Sequence, residues 1–200
     1  MSNTICAVAT PAGEGGISII RLSGTESLRI LMAIYCPNKQ QNLMPRMMTL
    51  GCILNQGQVV DQVLAVYFPA PHSYTGEDVV EIHGHGGLVS TNMILSLVIQ
   101  NGAKPAEPGE FTKRAFLNGK LDLSQAEAVQ DYIGALSVQS ARTAALQMGG
   151  ALYRRICKVQ DLLTDIMASM EAGIEYPEED LEQDIARDAL PKLGGLITDL

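Results

Sequence analysis

The sequence has few cysteines, and they form no pattern. Its 200 residues contain Cys6, Cys36, Cys52 and Cys157, none in a C-x-x-C pair and none at regular spacing. Disulfide frameworks and structural zinc sites both need cysteines at defined spacings. We therefore interpret the four as reduced thiols of a cytosolic protein, and we predict neither a disulfide framework nor a zinc site.

Long apolar runs are also missing. No run reaches the roughly 18 residues that a membrane-spanning helix requires, and the N-terminus lacks the basic segment that opens a secretory signal. With 46% hydrophobic and 18% charged residues, the composition is typical of a soluble globular chain that can fill a core. We expect no membrane association and a cytoplasmic location.

A P-loop is absent as well. The motif G-x-x-x-x-G-K-[ST] cradles nucleotide phosphates, but here Gly119-Lys120 is followed by Leu121, and Arg114 stands where the first glycine is needed. No G-x-S-x-G elbow and no convincing nucleophile–base pair occurs either. We predict that this chain binds no nucleotide through a P-loop and contains no catalytic residue.

The negative charge is concentrated in the second part of the chain. Residues 1–120 carry eight basic and eight acidic residues, whereas residues 121–200 carry six basic and fourteen acidic ones, which accounts for the net charge of −8. Nucleic-acid-binding surfaces are normally basic, so the net negative charge of this chain does not favour RNA binding. Six carboxylates fall in Glu175–Asp184, which we interpret as a solvated turn, with cation or basic-partner binding as the alternative.

Residues 1–120 mix short strand-like runs with a few helical ones, without a regular βαβ alternation, which favours an α+β domain. The pattern Ser23–Glu26 predicts a capping box that opens a helix, and Asn55–Gln58 predicts a hairpin turn. Another helix is predicted over Leu88–Gln100. Strands are predicted over Ile5–Ala9, Ile17–Leu22, Met47–Leu54, Val59–Phe68 and Asp78–His83.

After Leu121 the pattern becomes helical. Ser124–Glu127 predicts a second capping box, opening a helix that Gly149–Gly150 interrupts. Apolar residues then alternate spacings of four and three up to Pro177, which predicts one long helix. We predict two long antiparallel helices and the start of a third, an all-α segment over residues 121–200. Because such a fragment needs another surface to cover its apolar stripes, we expect a longer polypeptide.

Two charged residues lie in otherwise apolar strands. Arg21 lies in the run Ile17–Leu22, and Glu81 lies in Asp78–His83, where it shares a strand face with His83. An arginine at the rim of a buried surface normally pairs with a carboxylate or an anionic ligand. From the residues alone, a structural ion pair is the more common explanation, and ligand binding is the alternative.

The run Glu107–Leu123 is dense in turn and charge signals. Lys113 and Arg114 on a short helix would present cations to an acidic ligand, or would simply belong to a solvated junction between helices. His83 and His85 are two residues apart, but no cysteine or aspartate ligand is near them in the sequence. We therefore predict no metal site.

Together these runs resemble the MnmE (TrmE) family of tRNA uridine-modifying GTPases. The longer ones are highly specific, while residues 36–58 and 185–200 match weakly. The matching runs follow the family order: Thr4–Pro11, Gly15–Gly24, Tyr74–Gly87, Glu107–Leu123, Gln125–Ala128 and Glu171–Asp180.

The resemblance implies that residues 1–120 form a dimerising domain that binds a reduced folate, similar in fold to folate-dependent aminomethyltransferases. Residues 121–200 would begin a helical domain that a Ras-like G domain, inserted beyond Leu200, interrupts. The family's folate-contacting residues fall on Arg21, Glu81 and Lys120 of this sequence. The expected ligand is a tetrahydrofolate derivative, in the 5-formyl or 5,10-methylene form.

In such a family the folate donates a one-carbon unit to carboxymethylaminomethyl modification of the tRNA wobble uridine. A FAD-containing partner, MnmG (GidA), takes part, and GTP hydrolysis rearranges the homodimer. GTP, magnesium and potassium would belong to the G domain, which this chain lacks. Two alternatives remain at this point: a free-standing folate-dependent aminomethyltransferase, and a dimerisation scaffold without a ligand.

Overall fold

A computed structural model of the chain describes residues 4–38, 43–175 and 187–195. The chain divides into two compact units, Met1–Leu121 and Asp122–Leu200. Within the described ranges, no helix is both long enough and apolar enough to cross a bilayer. The first unit is an α+β domain and the second is helical, which confirms the predicted fold class.

The first unit is built on one sheet, which contains seven strands among the described residues, in the order β3-β4-β5-β6-β2-β1-β7. Neighbouring strands are antiparallel except for the parallel pair of β1 and β7. The strands are β1 (Ile5–Val8), β2 (Gly15–Ser23), β3 (Tyr35–Pro37), β4 (Thr49–Asn55), β5 (Gln58–Phe68), β6 (Val79–Gly86) and β7 (Lys104–Pro105). The helices of this unit are α1 (Ser27–Ile34), α2 (Leu88–Gln100) and α3 (Glu110–Leu117).

The five predicted strands correspond to β1, β2, β4, β5 and β6, and α2 has the predicted bounds. The predicted hairpin is confirmed: Asn55 pairs with Gln58, and the two loop residues Gln56 and Gly57 have φ of 49° and 83°. Positive φ at both loop residues is the geometry that matches the twist of a two-residue hairpin. The sequence did not predict β3 and β7, because three and two residues are too short for an alternating pattern.

One face of the sheet carries the hydrophobic core. Successive side chains of a strand point to opposite faces, so Ile20 and Leu22 of β2 and Ile82 of β6 pack with α1 and α2. All three are buried. Arg21 and Glu81 alternate with these residues and therefore lie on the opposite face, away from α1 and α2.

The predicted capping box at Ser23–Glu26 is wrong. Helix α1 begins at Ser27 with Glu26 as its N-cap residue, and no side chain caps it. Ser23 is instead the last residue of β2, and its buried hydroxyl is engaged with the segment between β5 and β6. Gly24, at φ 134°, turns the chain against Thr4. The Ser23 hydroxyl, which the local pattern predicts to cap the helix, forms tertiary hydrogen bonds instead.

Among its described residues, the second unit contains α4 (Leu123–Ile133), α5 (Val138–Met148), α6 (Ala151–Glu175) and a helical segment over 187–195. The break at Gly149–Gly150 is confirmed, with Gly150 at φ 69°. The long helix predicted before it is divided in two, because Gly134 ends α4 and the Ser137 side chain caps α5.

The second predicted capping box lies two residues too late. The Asp122 carboxylate accepts from the Gln125 backbone amide at 2.8 Å, and the Gln125 side chain accepts from the Asp122 amide at 2.9 Å. The long helix predicted after Gly150 is confirmed as α6. Much of its apolar stripe is exposed, although Ile166 is buried. Pro177 and the acidic run after Glu175 lie outside the described residues.

Cys6 lies in the core on β1, and burial raises the pKa of its thiol to about 11. Because the thiolate is the nucleophile, Cys6 is expected to react extremely slowly with iodoacetamide at pH 8, whereas the exposed Cys36 reacts readily. Peptide mass spectrometry after timed labelling measures both rates. Adding denaturant should bring the two rates together. Equal labelling in the native protein would contradict the burial of Cys6.

Candidate functional site

The site begins with an ion pair between neighbouring strands. Arg21 of β2 lies directly opposite Glu81 of β6 in the sheet register. Its Nε and Nη2 atoms lie 2.8 and 2.7 Å from Glu81 Oε1. The Arg21 and Glu81 side chains are 29% and 16% exposed, so the pair is shielded but reachable from solvent. The structure therefore brings together two of the three residues predicted to bind a ligand.

His83 forms a hydrogen bond with the second oxygen of the Glu81 carboxylate. It lies on the same face of β6 two residues after Glu81, and its Nε2 is 3.1 Å from Glu81 Oε2. Because a carboxylate only accepts hydrogen bonds, His83 Nε2 is the donor. The sequence placed His83 on the face of Glu81 but assigned it no role beside that residue.

Two aromatic rings cover Arg21. Its guanidinium carbon lies 5.6 Å from the centre of the Tyr74 ring and 5.8 Å from that of Phe111. Both distances are within the range of a cation–π contact. Tyr74 comes from the segment between β5 and β6, and Phe111 from α3. Sequence reasoning missed both rings, although each falls in a run that carries the family resemblance.

Lys120, the third predicted ligand residue, reaches the same segment. Its Nζ donates to the Pro71 carbonyl oxygen at 3.2 Å, and its aliphatic stem passes close to Gly76. No hydrogen bond or ion pair joins Lys120 to Arg21 or Glu81 in the part of the chain that the structure describes. Lys120 thus neighbours the segment that carries Tyr74, rather than the ion pair itself.

Arg114 is held by two carboxylates. Its Nη1 lies 3.0 Å from Glu77 Oε2, and its Nη2 lies 2.9 Å from Glu110 Oε1. Burial opposes the charged form of Arg114, but the hydrogen bonds and charges of Glu110 and Glu77 outweigh it and raise the pKa of the guanidinium. Arg114 is 14% exposed. Presentation of this cation to a ligand, one of the two roles considered above, is therefore not supported.

The sequence matches the family described as "GTP-binding protein TrmE N-terminus" over residues 4–120 and the "MnmE helical domain" over residues 123–200. The chain belongs to the MnmE (TrmE) family. This confirms the resemblance, and all the site residues lie within the TrmE N-terminal match.

The chain is similar to three curated proteins named tRNA modification GTPase MnmE. It is 47% identical to that of Akkermansia muciniphila over 194 residues, covering 96% of this chain and 43% of the relative. It is 48% identical to that of Moorella thermoacetica over 184 residues (90% and 40%) and 42% identical to that of Carboxydothermus hydrogenoformans over 205 residues (100% and 44%). The chain thus spans less than half the length of these relatives.

The two histidines at the end of β6 have separate carboxylate partners in this MnmE-family domain. His85 Nδ1 lies 2.6 Å from Asp61 Oδ1, and the His85 backbone amide donates to Asp61 Oδ2 at 2.9 Å. No aspartate lies near these histidines in the sequence, but the pairing of β5 with β6 brings Asp61 beside His85 in the fold. Among the described residues, no group of three histidine, cysteine or acidic side chains could hold a metal ion.

A cavity of about 390 Å³ lies elsewhere in the TrmE N-terminal unit, between the β4–β5 turn and α2. Arg21, Glu81 and Lys120 do not line it. Its lining residues are Asn55, Val89, Asn92, Met93, Ser96, Leu97 and Gln100.

Proposed function

We propose that this chain is the front part of a tRNA-modifying GTPase whose first unit binds a reduced folate. The bound folate supplies a one-carbon unit for carboxymethylaminomethyl modification of the tRNA wobble uridine. Membership of the MnmE family supports the general activity, since the relatives are named tRNA modification GTPases. The observation that carries the folate assignment is the shielded Arg21–Glu81 pair beneath two aromatic rings.

The polar side chains of the site fit a reduced pterin. Its aminopyrimidine edge carries N–H groups that a carboxylate accepts in pairs, which suits Glu81. A carboxylate has about four lone-pair positions, and Arg21 and His83 use three of them through Nε, Nη2 and Nε2. Binding in this mode uses two positions, so one of these three contacts must open or share its oxygen. His83 holds Oε2 through one contact, whereas Arg21 holds Oε1 through two.

The other residues suit the rest of the ligand. Arg21 would bind a carbonyl or anionic group, and Tyr74 and Phe111 offer flat apolar surfaces beside it. Lys120 would bind an anionic group near the segment that carries Tyr74. We further propose that the full protein forms a homodimer and acts with the FAD-dependent partner MnmG and tRNA. GTP, magnesium and potassium would bind to a G domain outside this chain.

Calorimetric titration with 5-formyltetrahydrofolate tests the proposal. We expect saturable binding, and Lys120→Ala is expected to weaken it by up to about fivefold, ~1 kcal/mol for an exposed charged contact. Lys113→Ala removes the same charge from an exposed position on α3 and should leave binding unchanged. Absence of saturable binding to the folded wild-type chain would refute the folate assignment and favour the scaffold alternative.

A further inference from the structure

Arg21 is enclosed by two arms of the first unit. One arm is the segment 69–78 between β5 and β6, which carries Tyr74, and the other is α3, which carries Phe111. We call these two rings over the Arg21 guanidinium the aromatic clamp. Neither arm belongs to the sheet, so the position of each ring depends on what fastens its arm.

The arms are fastened to each other by polar contacts. Arg114 of α3 binds Glu77 of the segment 69–78 through two contacts, at 3.0 and 3.3 Å. The Tyr74 hydroxyl lies 2.9 Å from Thr112 Oγ1, and Asn118 Nδ2 donates to the Thr75 carbonyl at 2.7 Å. The Arg114–Glu77 pair is the charged link among these, and charged hydrogen bonds are the stronger kind.

Glu77 also ties the clamp to the strand that carries Arg21. The Ser23 hydroxyl donates to Glu77 Oε2 at 2.8 Å, and Ser23 lies two residues after Arg21 in β2, on the same strand face. One carboxylate therefore joins β2, the segment 69–78 and, through Arg114, α3. The side chains of Arg114 and Glu77 are both largely shielded from solvent.

Glu110 provides an internal comparison. It binds the same guanidinium, but it lies four residues before Arg114 on α3, so this contact stays within one helix. The Glu77 contact crosses between the two arms. Loss of either carboxylate removes one negative charge beside Arg114, but loss of Glu77, unlike loss of Glu110, removes a charged contact between α3 and the segment that carries Tyr74.

We propose that Arg114 is a positioning residue for the folate site: by binding Glu77 it holds the aromatic clamp over Arg21 and so fixes the Arg21–Glu81 pair. This inference rests on the proposed folate function. Arg114 acts through its neighbours and does not touch the ligand.

The first test is calorimetry of the whole chain with 5-formyltetrahydrofolate. Arg114→Gln and Glu77→Gln are each expected to lower affinity about tenfold or more, whereas Glu110→Gln should stay within about twofold, because it leaves the link between the arms intact. Circular dichroism melts identify the variants that remain folded. If Arg114→Gln does not fold, Glu77→Gln carries the comparison alone.

The second test needs no ligand. The Arg21 Nε–H group donates to Glu81 at 2.8 Å, and its ¹H–¹⁵N NMR signal, assigned by its loss in Arg21→Lys, reports the pair directly. We expect this signal to shift or broaden in Arg114→Gln and Glu77→Gln and to persist in Glu110→Gln. A role in general stability would not single out this signal.

The outcomes separate the inference from the proposed function. If the wild-type chain binds no folate, the proposed function fails, and the Arg21 signal still tests the clamp. If the wild-type chain binds folate while folded Glu77→Gln binds it equally well, the inference alone is overturned. Equal losses in Glu110→Gln and Glu77→Gln would also overturn it, because Arg114 would then act through α3 itself.

Discussion

Substitution of Glu81 by glutamine is expected to weaken binding of 5-formyltetrahydrofolate by ~1–3 kcal/mol, the scale of a lost charged hydrogen bond. The amide keeps the size of the side chain but removes the charge that Arg21 faces, at a position that is only 16% exposed. Its NH₂ group would also face either the guanidinium or the pterin N–H donors. Calorimetric titration of the wild-type and variant chains measures the difference.

An exposed Arg–Glu pair of the same domain supplies the control. Arg29 and Glu26 form an ion pair at the start of α1, with both side chains more than half exposed. Glu26→Gln makes the same chemical change outside the site and should leave folate affinity unaltered. Wild-type affinity in Glu81→Gln would remove Glu81 from the ligand-binding residues. Equal losses in both variants would point to a general effect of charge.

The sequence could place Arg21 and Glu81 on strands, but it could not make them neighbours. Alternation within each run assigns a face, whereas pairing of β2 with β6 joins residues 60 positions apart and skips three intervening strands. No local pattern encodes such a register. Only the family resemblance linked these residues, together with Lys120, before the fold was described.

The helix starts show how local patterns compete. Two overlapping patterns, Asp122-x-x-Gln125 and Ser124-x-x-Glu127, both satisfy the capping rule. The structure uses the first, in which Asp122 accepts from the Gln125 amide and from the Ser124 hydroxyl as well. Helix α4 begins at Leu123, so Ser124 already lies inside the helix and is not its N-cap residue. A sequence pattern alone does not rank two such candidates.

The sequence could have shown that Arg114 and Lys113 lie on different faces of α3. On a helix, residues three and four apart share a face, so Phe111, Arg114 and Ala115 of α3 lie together. Ala115 is fully buried and Lys113 is exposed, which separates two adjacent cations onto different faces. Treating Lys113 and Arg114 as one basic pair concealed this difference. The carboxylate partner Glu77, 37 residues earlier, depends on the tertiary fold.

The two faces of the sheet should respond differently to truncation. Ile82 follows Glu81 in β6 but points into the core at 1% exposure, whereas Ile17 of β2 is 65% exposed. Ile82→Ala is expected to lower the free energy of unfolding by ~2–5 kcal/mol, because it removes buried methylene groups and leaves a cavity. Ile17→Ala should change the free energy of unfolding by less than ~0.5 kcal/mol.

Urea unfolding followed by circular dichroism measures both changes. If Ile82→Ala does not fold, Ile82→Val, which is expected to cost ~0.5–1.5 kcal/mol, provides the comparison instead. Similar costs for the two alanine variants would contradict the assignment of the core to the α1–α2 face, and with it the placement of Arg21 and Glu81 on the opposite face.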